Sequence, residues 1–206
     1  NISVAMWQQL NQFFLTVCAA AKSPASVEPH DFCEQIKLAS HTLIGTTDAT
    51  MSHGDAWHFS RIGRLIERAD KTSRIVDVQY YLLPPTAADV GSSLDVVRWS
   101  ALLRSASALA MYRREQGRIT PGHVAEFLLL DRDVPRSVRF CLMRAQDSLG
   151  EITGSRAGTF SCRSEQIVGR LRGELDYTSI DDVIQQGMHE YIDAFQTQLN
   201  ELGNAV

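Results

Sequence analysis

HGDAWHFSRIGRLIERADKTSRIVDVQYYLL, the stretch from His53 to Leu83, decides the fold. At 100° per residue, Ile62, Leu65, Ile66, Ala69, Val76, Tyr80 and Leu83 fall on one side, as the core-facing stripe of a long α-helix requires. Ser52 before it and Asp55 three residues on predict a capping box at its start, and Pro84-Pro85 ends it. The far side is not plain solvent surface. Trp57, Arg61, Arg64, Arg68 and Ile75 share it, flanked by Glu67 and Lys71. Trp and Ile among arginines predict a second contact surface, met by other helices, a partner or an anionic ligand.

The same periodicity recurs on both sides, and no alternating strand pattern interrupts it. Upstream, a helix is predicted over Val4–Ala21, with Trp7, Leu10, Phe14, Val17 and Ala21 in register, and a second over Pro29–Ile44. The second carries Phe32, Ile36, Ala39 and Leu43 on one face and stops at Gly45. Downstream, helices are expected from Leu94 or Asp95 to Glu115, from Thr120-Pro121 onward, from Asp133 as cap to Leu149, and from Ser161 to about Leu175. Ser179 with Asp182 forms a capping box before the last helix. There Ile184, Met188, Tyr191, Phe195, Leu199 and Leu202 make the cleanest stripe in the chain, a bundle seam and a candidate oligomer contact. The expected fold is all-α, an antiparallel bundle of about eight helices. It is expected as one domain over 1–206, with 84–93 and 150–161 as internal linkers. The opening Asn1-Ile2-Ser3, with no methionine and no obvious cap, suggests a chain that begins partway into a larger protein.

Bulk properties narrow the function. The chain has 206 residues, 44% of them hydrophobic and 21% charged, and a net charge of −4. It is long enough for a sizeable core and offers no overall basic field for nucleic acid. No apolar run approaches membrane-spanning length. Cys18, Cys33, Cys141 and Cys162 form no CxxC and no zinc spacing, which fits buried thiols in a reducing, cytoplasmic compartment. His53, Asp55 and His58 do not share a helix face, and His189-Glu190 lacks the second histidine of a zinc helix, so no metal is expected. No strand–Gly-loop–helix unit supports a nucleotide cofactor, and none is expected.

The basic residues are unusual in kind. Lys22, Lys37 and Lys71 are the only lysines among 20 basic residues, so 17 are arginines. A guanidinium grips carboxylate or phosphate in a planar fork and tolerates partial burial better than an ammonium. Two clusters stand out. The first is Arg61, Arg64 and Arg68 with Glu67. The second is Arg132, Arg136 and Arg139 beside Asp131 and Asp133. Either could hold an anion, and either could be spent on internal ion pairs. Internal pairing is the expected arrangement, with Asp131 and Asp133 satisfying both the arginines of the second cluster and the free amides of its turn. Glu67 and Asp70 sit among arginines that would lower their pKa values and make them poor general acids. No Ser, Cys or Thr has an activating neighbour. A domain without its own catalysis is therefore expected.

Arg61-Ile62-Gly63-Arg64-Leu65-Ile66-Glu67-Arg68-Ala69-Asp70 resembles the signature of the bacterial alpha-E family, named for a Glu-Arg (ER) motif on a helix. The likeness continues in Trp99–Ser105, in Phe127–Asp131, in Pro135–Cys141, and through Leu175-Asp176-Tyr177 into the last helix. The resemblance implies an all-α protein with no established activity to carry over. It implies that this chain corresponds to the C-terminal two-thirds of the usual one and lacks an upstream helix with another Glu-Arg copy. It also implies a setting beside ATP-grasp proteins that resemble peptide ligases, with transglutaminase-like proteins nearby. The expected role is a helical partner domain of such an ATP-grasp system, concerned with making or modifying peptide or amide bonds. Two alternatives stand beside it. One is an enzyme, or a subunit completing an active site, that binds a phosphate, carboxylate or acidic peptide through Arg61, Arg64 and Arg68, with Glu67 orienting them. The other is a helical homo-oligomerisation module acting through the last helix.

Overall fold

The computed structural model describes residues 2–82, 92–156 and 158–206. Among these the chain is all-α: ten α-helices, one 3-10 turn at 24–26, and no strand. It divides into two compact units at Trp57 and His58. The predicted linker at 84–93 lies outside the described residues up to position 91; Ser92 then caps the next helix and Ser93 begins it.

The first unit is a helical hairpin of α1 (Val4–Lys22) and α2 (Pro29–Thr50). Ser3 does cap α1: its Oγ accepts from the Met6 amide at 3.0 Å. Along α1, Ala5, Gln9, Phe13, Thr16 and Ala20 are half-buried, whereas the stripe of Trp7, Leu10, Phe14 and Val17 is exposed. The packed face is thus not the one the apolar periodicity points to. In α2 the expected face holds, with Phe32, Ile36, Ala39 and Leu43 half-buried. The helix continues past Gly45 to Thr50, with Thr47 buried. A mid-helix glycine costs about 1 kcal/mol. It ends a helix only when it turns left-handed, which Gly45 does not.

The second unit holds the core. It contains most of α3 (Asp55–Tyr81), then α4 (Ser93–Ser105), α5 (Leu109–Glu115), α6 (Pro121–Leu129), α7 (Val138–Thr153), α8 (Arg163–Tyr177), α9 (Ile180–Gln186) and α10 (Met188–Ala205). Helix α8 packs on α7 and α10, and α6 meets α4, α7 and α9. In α3, Ile62, Leu65, Ala69 and Val76 are buried as the stripe predicts. The helix begins at Asp55, not His53, because Ser52 closes a short turn through its carbonyl to the Gly54 amide instead of capping. Trp99, Tyr112, Phe127, Leu128, Leu142 and Leu171 are fully enclosed. Tyr112 and Phe127 meet edge to face at 5.1 Å, and the Tyr112 hydroxyl donates to the Arg118 carbonyl at 2.9 Å.

Two predicted helices are each split. The helix expected over 94–115 breaks at Ala106–Ala108, where Ser107 takes φ 54° between the small, buried Ala106 and Ala108. The last helix breaks at Gly187, φ +101°, so the Ser179–Asp182 capping box serves α9 alone. The α10 stripe is consumed inside the unit: Met188, Tyr191, Phe195, Leu199 and Leu202 are all buried. An oligomer seam along this helix therefore has no exposed stripe to use. Helix α7 also differs from expectation. Ser137, not Asp133, is its N-cap, and it runs beyond Leu149 to Thr153, where Gly154 ends it at φ +71°.

Candidate functional site

The two arginine clusters lie around α3, α7 and the turn before α7. On α3, Arg61 donates to Ser148 Oγ on α7 at 3.4 Å, and Arg68 donates to the Pro135 carbonyl at 3.1 Å. Rising numbers on α3 meet falling numbers on α7, so the arginine face runs antiparallel along α7 and its leading turn. Arg64 lies between, half-buried, with interactions of its own. The contact surface predicted opposite the apolar stripe is real. The Glu-Arg pair, however, divides: Glu67 is exposed and bridges Lys71 at 3.2 Å, while Arg68 reaches away to the turn. Glu67 is not brought together with the arginines to orient them.

Asp131 shapes the turn. Its carboxylate accepts from the amides of Asp133 (2.7 Å) and Val134 (3.0 Å), and its carbonyl accepts from the Ser137 hydroxyl. Asp131 uses Oδ1 for both amides and forms no ion pair with the arginines among the described residues, so it does not neutralise them. The acid that does so is Asp176, at the end of α8. Arg139 donates to it from Nε at 2.8 Å and from Nη2 at 2.6 Å, Arg172 stands at 3.4 Å, and Arg132 at 3.7 Å. The expectation that Asp131 and Asp133 satisfy the arginines and amides holds for Asp131 at the amides and is corrected for Arg132 and Arg139, whose acid is Asp176. Burial pushes the Asp176 carboxyl up, but the Arg139 hydrogen bond and the charges of Arg139, Arg172 and Arg132 outweigh it and hold it below the usual range. Arg139 also donates to the Leu130 carbonyl and is 11% exposed, so this pair is architecture.

Arg136 is the exception. It is half-buried and makes no hydrogen bond or ion pair among the described residues. Burial lowers its pKa from the ordinary guanidinium value, and the charge of Arg68 lowers it further. Cys141 faces both arginines. Its thiol is buried and pushed up to about 12, burial outweighing the pull of Arg68 and Arg136. A protonated thiol supplies no counter-charge and no nucleophile at neutral pH. Arg68 and Arg136 therefore lie near enough to feel each other's charge, and a phosphate or carboxylate reaching both would find two guanidinium forks.

Three roles went unread in the sequence. Asp176 sits in a quoted motif without an assigned role. Glu165 is buried and accepts from Thr153 Oγ1 (2.5 Å), Ser155 Oγ (3.0 Å) and the amide and hydroxyl of Ser161 (2.6 and 2.9 Å), pinning the loop between α7 and α8. Burial pushes its carboxyl up, but those donors bring it down to about 2. A signal was present, since Glu165 is the third residue of α8, where a capping-box carboxylate sits. His189, at the start of α10, bonds Asp77 on α3 at 3.0 Å, a pairing across 112 positions that no local pattern announces. Among the described residues, no group of three or more His, Cys, Asp or Glu could hold a metal ion. Among the described residues no helix is long and apolar enough to cross a membrane.

The fold and the arginine seam define an all-helical domain in which α3 and the turn before α7 bring two like-charged guanidiniums near each other. The chain belongs to the Alpha-E family, described as "a predicted alpha-helical domain with a conserved ER motif", which it matches over residues 1–206. It is also 26% identical over 134 residues to uncharacterised proteins of Mycobacterium bovis and Mycobacterium tuberculosis, a match covering 65% of this chain and 14% of theirs. The chain thus spans a small part of the length of these relatives. No solved structure matches it.

Proposed function

We propose that this chain is a helical binding domain that holds an anionic group at Arg68 and Arg136, accessory to ATP-dependent peptide- or amide-bond chemistry of the ATP-grasp type. One observation carries the binding part: a half-buried arginine with no acceptor among the described residues, set beside a second arginine. Burying a guanidinium against a like charge is costly. A fold bears that cost when a ligand or partner removes it, since functional sites commonly sacrifice stability. The ATP-grasp setting rests on the family resemblance of the ER segment. The two fit chemically, because ATP-driven amide synthesis handles carboxylates and acyl phosphates, the anions a guanidinium pair recognises. The domain performs no chemical step of its own in this reading, since Cys141 is held as thiol and Glu67 stands apart. The free state of all four cysteines supports a cytoplasmic setting.

Calorimetry against inorganic phosphate, an acyl-phosphate analogue and an acidic peptide tests the site. At least one anion should bind the wild-type chain, and Arg136→Gln should weaken it about tenfold or more. Wild-type protein that binds none of the three removes the anion site. Failure to co-migrate with a purified ATP-grasp partner removes the accessory role.

A further inference from the structure

We infer that the exposed face of α1 is a self-association surface, covered by a second copy of this chain. The stripe of Trp7, Leu10, Phe14 and Val17 keeps steps of three, four and three, the spacing of a helix–helix seam. These residues are 58%, 46%, 63% and 40% exposed. No residue of α1 is buried, although it is the more apolar helix of its hairpin. Two helices cannot enclose a core between them, whereas two hairpins placed stripe to stripe give the four-helix bundle that encloses one.

Charge selects the occupant. From Val4 to Ala21 the helix carries no Asp, Glu, Lys or Arg. A second α1 therefore meets no like charge, in either direction of approach. A charged partner would find nothing on this face to steer it or fix its register. The stripe is bordered by Gln8 and Asn11, whose amides both donate and accept and so suit a copy of themselves. Area agrees. At roughly 150–250 Å² for a whole aromatic side chain, the two aromatics alone expose about 100–150 Å² each. With the aliphatic residues and the rim, a symmetric pair would bury about 1,000 Å², near the lower bound for a specific interface. The seam this chain was expected to use, on α10, is already filled from within.

The test is sedimentation or light scattering of the full 206-residue chain at micromolar concentrations. Wild type should run at twice 22.9 kDa. Leu10→Glu and Phe14→Glu should each weaken the dimer about 100-fold or more, because each copy would bury an unpaired carboxylate. Both residues are exposed, so circular dichroism should show unchanged helix content. Phe160→Glu, at an exposed aromatic outside α1, should leave the dimer intact. A monomeric wild type overturns the inference, as does a dimer that survives both α1 substitutions or is lost equally with Phe160→Glu.

Discussion

Arg136 and Arg139 stand three residues apart, and the same turn delivers both into the protein. Arg139 enters α7 in its first turn and meets a carboxylate, a carbonyl and near-complete burial. Arg136 stays in the turn before the N-cap and meets another arginine. Equal chemistry and neighbouring positions thus give opposite energetics. Asp176 makes the difference, because it lies within reach of Arg139, Arg132 and Arg172 and leaves Arg136 outside its hydrogen bonds. A paired guanidinium holds the fold together, and one set near a like charge is held by the fold.

The sharpest way to break this comparison is Arg139→Ala. Removing one partner of a buried, hydrogen-bonded pair leaves Asp176 poorly neutralised and should cost about 3–5 kcal/mol. In a chain of this size that lowers Tm by roughly 10 °C. The effect has a pH signature. The folded Asp176 pKa lies below its unfolded value, so its contribution is present above the ordinary carboxylate range and is lost as pH falls through the folded pKa. The gap between wild type and Arg139→Ala, followed by thermal unfolding, should therefore be widest near neutral pH and shrink below about pH 4. A gap that stays constant into acid would mean Arg139 matters through packing rather than charge.

What the sequence revealed follows from how local each signal is. The apolar stripe of α3 from Ile62 to Tyr80 and the Thr120 and Ser179 caps are fixed by neighbours within one turn and appear as read, while Leu83, the last residue read into the stripe, lies outside the described residues. The breaks at Ser107 and Gly187 were missed, because an otherwise helical pattern runs straight through both. The reading of Asp131 as a partner of the arginines failed for a different reason. In sequence the acid adjoins the arginines, but in space its Oδ1 turns back to accept from the backbone amides two and three residues on. Asp176 lies 37 residues beyond Arg139, and only the packing of α7 on α8 brings them together. Arg136 was named as a candidate, yet its lack of an acceptor is a property of the assembled fold.

The opposite sign is expected for Arg136→Gln. Glutamine keeps much of the length, removes a desolvated like charge, and breaks no hydrogen bond among the described residues. Stability should rise by about 0.5–1 kcal/mol, seen as a Tm gain of roughly 2 °C in phosphate-free buffer. A loss of more than about 1 kcal/mol would show that Arg136 is architectural after all, and the contrast with Arg139 would vanish.

Arg68→Ala should show the smallest change, because two effects oppose each other. The variant loses a charged donor to the Pro135 carbonyl, about 1.5–3 kcal/mol for a well-formed bond and less at a half-exposed site. It also relieves the repulsion on Arg136. The net should lie within about 1 kcal/mol of zero, which taken alone would look like an idle surface residue. A double-mutant cycle with Arg136→Gln separates the two terms. Without Arg136 there is no repulsion left to relieve, so Arg68→Ala should cost about 0.5–1 kcal/mol more in that background than in wild type. Equal costs in both backgrounds would mean that the guanidiniums do not sense each other, and the like-charged pair on which the binding function rests would be lost.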